Sequence, residues 1–159
     1  MSSKDQVASS KKLKPEKGYR RVIAFKKADD LASLCFDIAE RIQTRDRWLA
    51  SQLKRASLSA PLNIVEGHGR GTLKDFLKFL ETAQASLNEV EYLLDFLNRK
   101  DIVSDSEYDR LDPVRSEAAA VLAGLIKSLR LKLKVTNDWQ RNLSEEHVEY
   151  HISGDEEDE

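Results

Sequence analysis

The sequence predicts an all-α chain folded as an antiparallel up-down four-helix bundle, and three observations carry that prediction. Apolar residues recur at spacings of three and four over four separate stretches, the mark of one buried face per helix. Nothing alternates with the period of two that a half-buried strand shows. Only 6 glycines and 3 prolines in 159 residues leave few places for turns, so the elements must be long. Four such helices joined by short links pack as neighbours running up and down in turn.

Residues 1–18, polar and lysine-rich with Pro15 and Gly18, read as a flexible basic arm ahead of a bundle over 19–135. In the first helix Leu31, Leu34, Cys35, Ile38 and Ile42 form the inward stripe, and Thr44 to Asp46 is the break. The second helix carries Leu49, Leu53, Ala56, Ala60 and Ile64 on one face and runs to Gly67, which is expected to act as a left-handed C-terminal cap. Gly67 to Gly71 is the one glycine cluster and must be a tight connection. Thr72, three residues before Asp75, is placed to cap the third helix. There Leu73, Phe76, Leu80, Ala83, Leu87, Val90, Leu94 and Leu97 hold their period over about seven turns. Asn98 to Ser106 forms the next link. The fourth helix turns Leu111, Val114, Ala118, Val121, Leu122, Leu125, Ile126 and Leu129 inward. Residues 136–159 read as an acidic C-terminal tail without fixed structure.

The net charge of −2 hides an asymmetry. Residues 145–159 hold eight acids and no Lys or Arg, which leaves 26 basic against 20 acidic residues, a net of +6, for 1–144. Nine basic and two acidic residues fall in the first 27. A basic body with an acidic tail fits a polyanion partner, or a tail that folds back on a basic surface. The first residues have no apolar stretch of the kind a secretory signal needs, and no run of 18 apolar residues exists. The expected location is the cytoplasm, with no membrane partner.

The second helix has a surplus. At 100° per residue Leu58, Leu62 and Val65 fall opposite the main stripe, where a helix packed on one core should be polar. The simplest cover is another copy of the chain, so these three residues are the expected oligomer interface. The bland alternative is that the loop or the N-terminal arm covers them within one subunit. Between the two faces runs a polar row, Gln52, Arg55, Ser59, Asn63 and Glu66, interrupted by Pro61. It is expected to be a structural hydrogen-bonded network, with Arg55 paired to Glu66 or to Glu89 of the third helix, since half-buried polar groups need partners.

Catalytic chemistry finds little support. The single cysteine, Cys35, excludes an internal disulfide and a cysteine zinc site and sits on a core stripe. His147 and His151 have metal-ligand spacing but stand in the acidic tail with no scaffold. The glycine loop with His68 lacks the preceding strand and the Gly-Lys-Ser/Thr ending of a phosphate-binding loop. No enzyme activity, cofactor or metal is therefore expected. Cations are better placed: Lys54, Arg55, Arg70, Lys74 and Lys78 are assigned to the connection between helices two and three, Lys127, Arg130 and Lys134 to one edge of helix four, and Arg41, Arg45 and Arg47 to the first break. Of these the first eight are the candidate nucleic-acid-binding residues. No base-reading module is present, so contacts would be to the phosphate backbone. Ordinary solubilising charge is the competing reading.

The residues of helix two also carry a family likeness. Gln52 to Gly67, followed by His68-Gly69-Arg70-Gly71, with Phe25 to Ala28 and Ala83 to Glu91, resembles the intervening-sequence four-helix-bundle family. Those proteins are encoded within insertions of bacterial large-subunit ribosomal RNA genes and as standalone genes. The likeness spans roughly residues 20–130 and rests on Ser-x-Pro-x-Asn-x-x-Glu-Gly together with the downstream Ser-Leu-x-Glu. It implies a subunit that assembles into a homopentameric ring. It also implies kinship with the accessory variability determinants of diversity-generating retroelements, basic pentamers that bind nucleic acid and partner a reverse transcriptase.

Two expectations follow. One is a non-enzymatic homo-oligomer that binds RNA or DNA through its phosphates and assists a reverse transcriptase. The other is a protein-interaction scaffold with no direct nucleic-acid role.

Overall fold

A computed structural model describes the backbone of residues 18–152 and the side chains of residues 18–140. A short 3-10 turn, Gly18–Arg21, leads into α1 (Ile23–Ile42), α2 (Arg47–His68), α3 (Leu73–Arg99) and α4 (Asp105–Ile152). Each helix packs on two neighbours, α1 on α2 and α4, α3 on α2 and α4, and no diagonal pair meets. The section is a square. Side-chain contacts fix the direction of three edges, and the fourth, α1 with α2, follows from them. Arg41 meets Glu107 while Lys27 meets Glu117, and Arg55 meets Glu89 while Ser59 meets Ser86. Arg115 meets Glu91 while Arg130 meets Glu81. In every case one number falls as the other rises, so neighbouring helices are antiparallel.

Inside lie the stripes the periodicity selects. Leu49, Leu53, Ala56, Ala60 and Ile64 are all buried, as are Leu80, Ala83, Leu87, Val90, Leu94 and Leu97. Leu111, Ala118, Leu122, Ile126 and Leu129 close the core from α4, with Val114, Val121 and Leu125 half-buried against it. Leu34 departs from the expectation. It is 38% exposed beside Asp37 and Arg110 in an open groove between α1 and α4, because Ala28, Leu31, Cys35 and Ile38 already fill the inward arc of α1.

The ends of the helices follow from capping chemistry. The Asp46 carboxylate accepts from the Leu49 amide at 2.9 Å, and the Thr72 hydroxyl accepts from the Asp75 amide at 3.1 Å; each such cap contributes about 1 kcal/mol. The Thr72 hydroxyl also donates to Asp75, and this bond, joined by Lys78, holds the Asp75 carboxyl below the usual carboxylate range. Ser104 and Glu107 cap α4 reciprocally, each side chain facing the other's amide at 3.4 Å. The Glu107 carboxyl is lowered chiefly by its bond from Arg41, which ties this cap to α1. α3 ends in a Schellman turn: the Ile102 amide donates to the Leu97 carbonyl, the Asp101 amide to that of Asn98, and Asp101 takes φ 53°. The α3–α4 link is thereby shorter than the expected Asn98–Ser106.

Gly67 does not act as a left-handed cap. α2 runs through it to His68, and Gly69 closes the helix at φ −79°. Gly67 is buried instead because α3 passes directly over it: an added Cβ would stand 2.6 Å from Cβ of Phe79 and 2.8 Å from Cδ2 of Phe76. α4 also departs from its expected end at 135. It continues for 48 residues to Ile152, since no Gly or Pro interrupts residues 125–153. The residues assigned to a tail from 136 are therefore helical as far as 152, while 1–17 and 153–159 lie outside the described residues.

Replacing Gly67 by Ala sets helix propensity against packing. The exchange gains about 1 kcal/mol from propensity, but the overlap with Phe76 and Phe79 costs about 1–3 kcal/mol and more where backbone must shift. Gly67→Ala is expected to lower the urea midpoint; a raised midpoint would show that α3 can retreat freely.

Candidate nucleic-acid interface

The antiparallel order gathers one end of the bundle from four sources. The 3-10 turn reaches α2 there, with the His68 ring packed on Gly18. Arg70 pairs with Glu66 and lies over the Phe79 ring, 4.7 Å from its centroid. Lys74 follows on α3, and Lys78 pairs with Asp75 at 3.2 Å. Arg130 pairs with Glu81 at 2.7 Å, which sets α4 level with this end. Lys127 and Lys134 are exposed on the same edge of α4 as Arg130. Of the eight assigned cations, six thus share one end: Arg70, Lys74, Lys78, Lys127, Arg130 and Lys134.

Lys54 and Arg55 do not join them. They sit mid-helix in α2, about 22 Å along the axis from Arg70. Lys54 contacts Gln43 and lies 5.2 Å from the centroid of Phe36. Arg55 donates to Gln52 and Glu89. Arg55 is paired with Glu89, while Lys54 makes a bond to neutral Gln43 and a ring contact, and the assignment of both to the α2–α3 connection does not fit this geometry. Conversely, Arg20, Arg21 and Lys132, which are not among the eight, are exposed at the cationic end. Arg20 stacks on Tyr19, itself edge-on to Phe25 at 5.0 Å. The crowding of basic residues in the first 27 was the available signal for the two arginines; only the packing of the 3-10 turn on α1 and α2 places them at this end.

Availability matters more than position. Arg70, Lys78 and Arg130 already have carboxylate partners, whereas Lys74, Lys127, Lys132 and Lys134 make no ion pair among the described residues. No acid occurs from residue 118 to 137, so α4 presents that charge without local compensation. Arg45 and Arg47 at the opposite end are also exposed, but Asp37, Glu40, Asp105 and Asp109 crowd that end.

The polar row of α2 divides into three. Arg55 bridges Gln52 and Glu89. The Ser86 hydroxyl donates to Ser59 at 2.8 Å and the Asn63 amide donates to the Ser59 carbonyl at 2.8 Å, an internal joint between α2 and α3. Glu66 turns away to Arg70. On the outer face Leu58 and Leu62 are 38% and 61% exposed and Val65 is half-buried. Among the described residues Leu62 is the most open of the three. Beside Leu58, Ala32 and Phe36 line a shallow groove edged by Asp29, Asp37 and Glu40.

No group of three metal-ligating side chains occurs among the described residues, and the side chains of His147 and His151 lie outside them. Cys35 is buried, which pushes its thiol up to about 12. No described helix is long and apolar enough to cross a membrane.

Comparison with known proteins adds a family and a fold. Residues 20–124 match the family described as 23S rRNA-intervening sequence protein. Among solved structures, a protein of unknown function from the S23 ribosomal protein family of Bacteroides thetaiotaomicron VPI-5482 superposes with a TM-score of 0.63 at 22% identity. The match takes in 66% of this chain and 99% of that one. No curated protein matches the chain.

The thiol provides a test of the packing. With its pKa pushed up to about 12, Cys35 is expected to resist thiol reagents in the native protein at pH 8 and to react fully in urea. Rapid native labelling would place it at an accessible site.

Proposed function

The chain belongs to the 23S rRNA-intervening sequence protein family, and from that premise we propose that it is a non-enzymatic, homo-oligomeric accessory protein that holds RNA or DNA by its phosphates. The observation that carries the reading is the convergence of Lys74, Lys127, Lys132 and Lys134, exposed and without ion pairs among the described residues, with Arg20 and Arg21 at one end of the bundle. Unpaired exposed cations interact with phosphates without first breaking an internal pair. Repeated around a closed assembly, four or more such charges per subunit make a continuous field. Leu58, Leu62 and Val65 supply the surface for that assembly, and the resemblance to pentameric relatives makes a five-fold ring the proposed form. A reverse transcriptase is the proposed client, on the same resemblance. Contacts of this kind carry no sequence information, so binding is backbone-directed.

A scaffold role has one observation of its own, the exposed apolar face of α2. It separates from the first reading by salt.

Binding to single-stranded RNA should weaken linearly in log salt. Changing Lys74, Lys127 and Lys134 together to Gln should reduce the slope by about 0.7 for each phosphate that the protein then leaves unneutralised. Arg45→Gln with Arg47→Gln, at the opposite end, should leave it unchanged. Absence of retention at low salt would favour the scaffold.

A further inference from the structure

α4 has a second face that the bundle does not use. Leu131, Val135 and Trp139 are 58%, 55% and 67% exposed. Their spacing of four sets them on one side of the helix, away from Leu129 and Ile126, which are buried in the core. An aliphatic pair and a tryptophan in water on successive turns is more than a solvated helix needs. This stretch also lies beyond the family's shared body. The family match ends at 124, and the B. thetaiotaomicron protein, aligned over 99% of its length, accounts for only 66% of this chain. The rest of the fold gives no reason for the face.

The charge along the same helix indicates what covers it. Lys127, Arg130, Lys132 and Lys134 precede Trp139, with no acid from 118 to 137. After Arg141 the helix carries no Lys or Arg, and Glu145, Glu146 and Glu149 follow before its end at Ile152. The sign reverses along one helix, and Trp139 lies about halfway between the two stretches. Two copies laid parallel would set cation on cation and acid on acid. Two copies laid antiparallel would set each basic stretch against the other's acidic one, with the apolar row shared between them. That is the self-complementarity a two-fold contact demands, where residue i of one copy meets j of the other and the reverse.

We propose that the extension of α4 pairs with the α4 extension of a second copy of this chain, antiparallel and centred at Trp139. The contact is separate from the α2 face and joins one assembly to another. Its registry puts Lys132 of one copy beside Glu146 of the next.

Cysteine cross-linking of the full-length protein tests this, since buried Cys35 stays out of reach of mild oxidants. Lys132→Cys and Glu146→Cys proteins are prepared separately and oxidised alone and as a mixture. The expected result is a disulfide-linked dimer from the mixture and little from either alone. Trp139→Cys should cross-link with itself. Adding Leu131→Glu and Val135→Glu should abolish every one of these products while far-UV circular dichroism stays helical. Self-cross-linking of Lys132→Cys alone and of Glu146→Cys alone would mean a parallel arrangement and overturn the proposal. No cross-linking in any variant would overturn it too, and would leave the face to residues 1–17 or to a different partner. Retention of RNA is read separately on a Leu131→Ser/Val135→Ser protein, which leaves the charge around Lys127 and Lys134 unchanged, so that loss of pairing with RNA still held separates this contact from nucleic-acid binding.

Discussion

The structure depends on the closeness of α2 to α3. Ala56, Ala60 and Gly67 give α2 a stripe with almost no side-chain bulk, and at Gly67 the gap to Phe76 and Phe79 is too small for a single methyl group. Close-packed interiors transmit such a constraint along the whole interface. It fixes the axial register of the two helices, so that Ser59 meets Ser86 and Arg55 meets Glu89. With α2 and α3 locked, α1 and α4 close the square from the other side, and Arg115 binds Glu91 and Asp112 from a site only 14% exposed.

The same constraint decides what is left outside. Once its small residues face inward, α2 has to turn Leu58 and Leu62 to solvent, and the order of helices brings the start of α3 beside the upper part of α4. Both proposed surfaces are consequences of register. The apolar face lies along the outer side of α1 and α2. The cations collect at the end where α2 hands over to α3 and where α4 runs on past it. The proposed polyanion surface and the proposed assembly face of α2 therefore lie on different sides of one subunit, and neither competes with the core for residues.

Much of this was legible in the sequence because burial imposes a period. The core stripes of α2 and of α3 from Leu80 onward follow the 3.6-residue repeat, with Leu73 and Phe76 half-buried at the start of α3, and Thr72 announced its cap through Asp75 three residues on. Gly67 was misread because a glycine near a helix end has two physical uses, a left-handed cap and a close approach of helices, and only the position of Phe76 and Phe79 tells them apart. Leu34 misled for a related reason: it falls at the edge of the stripe, where burial is set by the neighbour α4. Lys54 and Arg55 look like free cations in one dimension, yet their partners Gln43 and Glu89 lie outside α2. Long-range pairing is what periodicity does not encode. Continuation of α4 beyond 135 was readable from the lack of Gly and Pro, but the polar composition there outweighed it.

The central claim is that the working unit is an assembly built on the outer face of α2. Native mass spectrometry of the full-length protein tests it most directly against a chain mass of 18.1 kDa. A particle at an integer multiple of that mass, five-fold for the proposed ring, is expected, and Leu58→Glu with Leu62→Glu should convert it to single folded chains. A wild-type protein at 18.1 kDa, or an assembly indifferent to those two substitutions, would contradict it.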